Sequence, residues 1–169
     1  MRLHLKGVAA ANDRRFDLHA QCSIIHRQET MIIEHSIDIR VRYPEVDAMG
    51  YLHHSRYLQY FEMGRVELLR SLGHSYADLE KQGIFFVVVK AQISYKIPAR
   101  YDELLTLTTR LMKQTYVRYD HTYELRRDRT LLAEGTTTIA CVDRTGQLVQ
   151  IPESLSRPTT EGGSASPAT

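Results

Sequence analysis

The residues of this chain that could do chemistry gather over 43–57, in the segment YPEVDAMGYLHHSRY. Asp47 stands three residues before Gly50 and seven residues before His54. A carboxylate can act as a nucleophile or as a general base, and both roles need its anionic form. If the segment leads from a strand into a helix, free N–H groups at the helix start would favour that charge and could also hold an oxyanion.

Spacing alone does not separate a catalytic Asp47 from a plain turn or N-cap residue. His53 and His54 are similarly ambiguous, because each could be an ordinary, partly buried histidine. If both lie on the helix, their side chains point about 100° apart, so we do not expect them to share a metal ion. The sequence has no serine nucleophile elbow, HExxH motif or phosphate-cradling glycine loop, which argues against a serine hydrolase and a metalloenzyme.

Hydrophobic periodicity on either side of this segment predicts the elements that position it. Apolar and charged residues alternate over 33–43, which is typical of a half-buried strand. The period becomes helical over 54–72, Gly73 is the expected C-cap, and a short second helix should follow over 75–83.

The remaining part of the domain alternates again, and predicts four more strands. They should cover 87–97, 104–112, 117–126 and 131–143, with a hairpin connection at 127–129. Connections this short favour antiparallel neighbours. The sequence therefore predicts an α+β domain in which one long helix packs on an antiparallel sheet.

Composition narrows the class of protein. The 22 Lys and Arg against 20 Asp and Glu leave a net charge of only +2, which gives no electrostatic footprint for nucleic acid. Cys22 and Cys141 are too few for a disulfide framework, and Cys141 should be a buried, reduced thiol. No apolar run is long enough for a membrane span, so the cytoplasm is the expected compartment.

The chain should divide into a working domain at 33–155 and two flanking segments. Residues 1–32 fit no period and are an expected N-terminal extension, either disordered or non-native, with Met31 as a hypothetical natural start. The Gly-, Ser- and Pro-rich residues 156–169 should be a disordered tail.

Residues 40–62, RVRYPEVDAMGYLHHSRYLQYFE, resemble the signature of the 4-hydroxybenzoyl-CoA thioesterase and Tol-Pal-associated acyl-CoA thioesterase family. The sequence PARYDE at 98–103 resembles a second element of that pattern. The resemblance implies a hot-dog fold, in which a curved antiparallel sheet of about five strands wraps one long central helix. It also implies homodimers with active sites between subunits, often paired into homotetramers.

The same resemblance implies roles for individual residues in the hydrolysis of acyl-CoA or aroyl-CoA to the free acid and CoA. Asp47 would be the nucleophile or general base. The backbone N–H of His54 would bind the thioester carbonyl, and its side chain would be a second catalytic candidate. No cofactor or metal is implied, since coenzyme A is part of the substrate. Glu45 replaces the family's usual first aspartate.

Further residues are expected to bind substrate. Gly50, His53 and Tyr57 flank Asp47 and His54 along the chain. Lys90 and Arg100 could contact the phosphates of coenzyme A, although the residues alone favour solvated strand and loop charges.

Two alternatives stay open at this point. The substrate acyl group could be attached to an acyl carrier protein, which is acidic and would need a basic collar around the pocket. The chain could also be a non-catalytic acyl-CoA-binding protein that keeps only the hot-dog fold. A dehydratase or hydratase is disfavoured, because those enzymes use a different His/Asp pattern. The acyl group itself is not predicted.

Overall fold

The computed structural model of the protein describes residues 33–155. The predicted extension at 1–32, including Met31, and the predicted tail at 156–169 lie outside these described residues. Those boundaries therefore stay predictions.

The described chain contains five strands and two α-helices. In order they are β1 (Ile33–Arg40), α1 (Arg56–Ser71), α2 (Tyr76–Lys81), β2 (Phe85–Tyr95), β3 (Leu104–Gln114), β4 (Arg118–Arg127) and β5 (Thr130–Val142). Strand β1 ends three residues earlier than predicted, because Pro44 lies in a 3-10 turn at Tyr43–Glu45.

All five strands form one antiparallel sheet in the order β1-β3-β4-β5-β2. Strand β2 is an edge strand, because it pairs with β5 alone. The register shifts at three places, one of them between Val88 and Lys90, and such bulges bend a sheet. The predicted α+β class is confirmed.

Helix α1 packs on one face of this sheet through the predicted apolar stripe. Tyr57, Phe61, Gly64 and Leu68 are all buried. A Cβ at Gly64 would lie 2.8 Å from Cδ2 of Leu107 on β3, so the glycine permits a close approach of helix to sheet.

Strand β5 also contributes a small residue, Gly135, to the contact between helix α1 and the sheet. The Phe61 ring stacks on Tyr123 of β4, with centroids 4.2 Å apart, and its edge lies where a side chain at Gly135 would be. Cys141 on β5 is a buried free thiol, as predicted, and burial raises its pKa.

Candidate active site

The loop between β1 and α1 is anchored by Glu45, which is only 2% exposed. Its carboxylate accepts hydrogen bonds from the Arg42 backbone N–H at 2.8 Å, from the Arg42 guanidinium at 2.6 and 3.0 Å, and from the Tyr60 hydroxyl at 2.7 Å. Burial opposes the charge of Glu45, but these hydrogen bonds outweigh it and lower the pKa of the carboxyl group. The glutamate therefore fixes the loop as an anion.

Asp47 lies in a tight turn that the loop forms immediately after Glu45. Its Oδ1 accepts hydrogen bonds from the backbone N–H groups of Met49, at 2.8 Å, and Tyr51, at 3.1 Å. Gly50 closes the turn with a positive φ of 75°, a conformation that glycine adopts without strain. Within residues 33–155, Oδ2 accepts no hydrogen bond and remains available.

Helix α1 begins at Arg56, two residues later than predicted, and His54 lies in the turn before it. The Arg56 N–H donates to the His53 carbonyl at 2.9 Å, and the His53 N–H donates to the Glu45 carbonyl at 2.9 Å. Between them, the backbone N–H of His54 donates no hydrogen bond to any atom of the described chain. A free donor thus stands at the positive end of α1.

Asp47 and His54 line the same open pocket, which has a volume of about 230 Å³. The other residues that line it are Leu52, Tyr57 and the segment 95–98. The Tyr95 hydroxyl donates to the His54 carbonyl at 3.1 Å, and the rings of Tyr57 and Tyr95 meet edge to face with centroids 5.0 Å apart. Burial raises the pKa of both tyrosines, so both hydroxyls stay protonated at neutral pH.

The two histidines do not lie as predicted. Both precede the helix, and their rings are 4.1 Å apart with planes tilted by 34°, so the expected 100° divergence on a helix is wrong. His53 hydrogen-bonds Ser55 Oγ through Nδ1 at 2.8 Å and does not line the pocket. Within residues 33–155, no group of three His, Cys, Asp or Glu side chains could hold a metal ion.

The other predicted site residues, Lys90, Arg100 and Gly50, do not line the pocket. Lys90 is exposed in the middle of β2. The Arg100 guanidinium lies over the Tyr51 ring, 4.6 Å from its centroid, and so contacts the turn that holds Asp47. Gly50 contributes only its backbone conformation, with a positive φ of 75°, to the turn that holds Asp47.

Sequence reasoning missed the wall formed by 95–98. The segment is predicted as the end of a strand and the first residue of the PARYDE element, and no local pattern places it beside Asp47. The link is a long-range hydrogen bond in which the Leu52 N–H donates to the Ala99 carbonyl at 2.8 Å. Chemically, the pocket is lined by a residue that carries a carboxylate and by a residue whose backbone N–H is unused in the described chain, a pairing suited to attack on a carbonyl group.

Comparison with known proteins identifies the family of the chain. The profile of the thioesterase-like superfamily matches residues 41–158, which include Asp47, His54 and most of the sheet. The chain belongs to the thioesterase-like superfamily. The predicted thioester-hydrolase class and hot-dog fold are therefore confirmed.

Individual relatives are identical to this chain at about a third of the aligned residues. The acyl-CoA thioesterase YbgC of Haemophilus influenzae is 36% identical over 64% of this chain and 80% of the relative. The acyl-CoA thioester hydrolase YbgC of Escherichia coli is 32% identical over 62% of this chain and 79% of the relative. The solved DHNA-CoA thioesterase of Staphylococcus aureus is 32% identical, with a TM-score of 0.68, over 69% of this chain and 80% of its own.

Within residues 33–155, no helix is both long and apolar enough to cross a lipid bilayer.

Proposed function

We propose that this protein hydrolyses acyl-CoA or aroyl-CoA thioesters to the free acid and CoA, with Asp47 as the reacting carboxylate. The observation that carries the proposal is that one pocket is lined both by Asp47, whose carboxylate is anchored, and by His54, whose backbone N–H is unused in the described chain. The names of the superfamily members support CoA esters as the substrate class.

Asp47 is held in a way that suits a nucleophile or a general base. The two N–H groups that bind Oδ1 orient the carboxylate, while Oδ2 is left to react. Oδ2 would either attack the thioester carbon, giving a mixed anhydride and CoA thiolate, or take a proton from a water that attacks instead. In the first route, water then cleaves the anhydride and regenerates the aspartate.

The oxyanion formed in either route needs a hydrogen-bond donor that stabilises its negative charge. The free N–H of His54 lies at the start of α1, where the helix dipole adds to its effect. Loss of one such donor typically lowers kcat by roughly 100- to 1000-fold. The His54 side chain is exposed and remains a second catalytic candidate, because it lines the same pocket.

Tyr57 is the proposed contact for the acyl or aroyl group. It is buried beneath the pocket and meets Tyr95 edge to face, so the two rings form an apolar floor. Lys90 and Arg100 are proposed contacts for the CoA phosphates, because both are exposed cations and Arg100 contacts the Asp47 turn. Gly50 and His53 would shape the loop around the substrate.

A homodimer formed through β2 is part of the proposal. The outer edge of β2 has no partner strand in the described chain, and Val87, Val88 and Val89 on it are exposed. Long, apolar edges are normally covered. Because Tyr95 ends β2 and lines the pocket, a second copy on this edge would lie beside the pocket. Assembly into a tetramer and residence in the cytoplasm stay predictions from the sequence.

Thiol release from a panel of CoA esters tests the proposed reaction. Short-chain, long-chain and aromatic acyl-CoAs are compared with the same acyl groups on a carrier protein. We expect turnover of at least one class of CoA ester. Activity restricted to carrier-bound substrates would favour the carrier-protein alternative, and tight binding of all esters without hydrolysis would favour a non-catalytic protein.

A further inference from the structure

The backbone N–H of His54 and the carbonyl of His53 belong to one planar peptide group. That carbonyl accepts the Arg56 N–H at 2.9 Å, so the start of α1 holds this peptide group. In the usual trans form, the N–H and the C=O of a peptide group point in opposite directions. The hydrogen bond therefore directs the His54 N–H away from the first turn of α1.

The next peptide group, which contains the His54 carbonyl, is held from a different element of the fold. The hydroxyl of Tyr95, the last residue of β2, donates to this carbonyl at 3.1 Å, although the two residues are 41 positions apart in the sequence. Burial raises the pKa of Tyr95, so its hydroxyl remains a donor at neutral pH. The peptide groups on both sides of the His54 Cα are thus each held by a hydrogen bond, one from α1 and one from β2.

Tyr95 is well placed to hold the turn, because its own position is fixed twice. Its backbone lies in the paired part of the sheet, opposite Ala133 of β5. Its ring meets the buried ring of Tyr57 edge to face, with centroids 5.0 Å apart. A side chain anchored in the sheet therefore restrains His54, which lies in a turn between two elements.

We propose that Tyr95 is a positioning residue for the reaction, whose hydroxyl holds the His54 backbone so that the free N–H faces the reacting carbonyl. This inference rests on the proposed function, because it assigns a task to a group that acts through the oxyanion donor. Tyr95 and His54 both line the Asp47 pocket. An oxyanion donor works only when it is held in place before the reaction, and a misplacement of about 1 Å can cost roughly 100-fold in rate.

Tyr95→Phe separates this role from two others. The variant keeps the ring, and with it the contact to Tyr57, but removes the hydroxyl. A hydroxyl that bound the substrate equally in the ground state and the transition state would affect KM, whereas a positioning hydroxyl affects kcat. A purely structural hydroxyl would affect the thermal unfolding midpoint.

The first measurement is steady-state thiol release from the best acyl-CoA, together with the unfolding midpoint. We expect Tyr95→Phe to lower kcat by about tenfold or more, with KM within about twofold of the wild type and an unchanged midpoint. Tyr101→Phe is the matched control, because Tyr101 is 53% exposed and Tyr95 is 52% exposed, and it should change none of the three. An unchanged kcat, a change confined to KM, or a lowered midpoint that accounts for the lost activity would each overturn the assignment.

The amide signal of His54 in nitrogen–proton correlation spectra gives a second measurement that needs no substrate. In Tyr95→Phe this signal should shift and its exchange with water should accelerate, because the turn loses a restraint. Tyr101→Phe should leave both unchanged. An unaltered His54 signal in Tyr95→Phe would overturn the inference even if kcat falls. A wild type that hydrolyses no thioester would instead refute the proposed function, and this inference with it.

Discussion

The Tyr60 hydroxyl donates a 2.7 Å hydrogen bond to Oε2 of Glu45, and so ties the loop that carries Asp47 to helix α1. Both side chains are almost fully buried. Since the Glu45 carbonyl also accepts the His53 N–H, this glutamate connects the two halves of the proposed site.

Removing that hydroxyl should loosen the site. We expect Tyr60→Phe to lower the free energy of unfolding by about 2 kcal/mol, because the bond goes to a buried carboxylate. The kcat for CoA esters should fall several-fold while KM changes less, since Asp47 is held less firmly. Urea denaturation and thiol release measure the two effects. Tyr43→Phe, at an exposed tyrosine of the same loop, is the matched control and should change neither.

Periodicity predicted those parts of the fold in which one face of an element is buried throughout. The alternation predicted over 117–126 is seen on β4, where Tyr119, His121, Tyr123 and Leu125 are buried, because strands pair on both sides and one face is covered. Strand β2 shows the limit of this reasoning. The predicted alternation over 87–97 is not seen at its start, where Val87, Val88 and Val89 are all exposed, because β2 is an edge strand with a register shift after Val88.

The site could be predicted only as far as it is local in sequence. Asp47, Gly50 and His54 come from one loop, and the structure brings Asp47 and His54 to one pocket. The start of α1 was wrong by two residues, because the bond from the Arg56 N–H to the His53 carbonyl has no signature in hydrophobic periodicity.

Acid should destabilise the protein through His121. Burial, followed by the charge of Arg65, lowers its pKa from the ordinary 6.5 to about 3, so the unfolded chain binds one more proton than the folded protein between these values. This contribution to stability is fully present above pH 6.5 and is lost as the pH falls toward 3, by at most about 1.4 kcal/mol per pH unit. Urea denaturation between pH 7 and 4 should show a shallower decline for His121→Phe. Identical pH slopes for the two proteins would count against a neutral His121.

Gly64 should not tolerate even one added carbon. Gly64→Ala improves helix propensity by about 1 kcal/mol, but its Cβ would collide with side chains of β3, Leu107 and Thr109. We expect overpacking to prevail and to cost about 1–3 kcal/mol net, measured by urea denaturation. Met63→Ala, on the exposed side of the same helix, is the control and should change stability much less. A stabilised Gly64→Ala protein would show that helix and sheet are further apart.

A charge on the free edge of β2 should prevent dimer formation. Val88 is 52% exposed on this edge, and Val88→Lys would bury a lysine in the proposed interface. Sedimentation equilibrium should give a dimer or larger assembly for the wild type and a smaller species for Val88→Lys. Met112→Lys, at an exposed methionine of β3, should assemble like the wild type. A monomeric wild type would exclude the proposed interface.

The most direct test of the account is single-turnover hydrolysis of the best acyl-CoA by Asp47→Asn beside the wild type. The asparagine keeps the shape of the turn but removes the charge that both proposed routes need. Asp128→Asn, at an exposed turn residue with a positive φ of 51°, is the matched control, because asparagine tolerates that conformation. We predict that Asp47→Asn folds and binds the ester but hydrolyses it about 1000-fold more slowly or worse, while Asp128→Asn is unaffected. A folded Asp47→Asn protein with wild-type turnover would contradict the central claim.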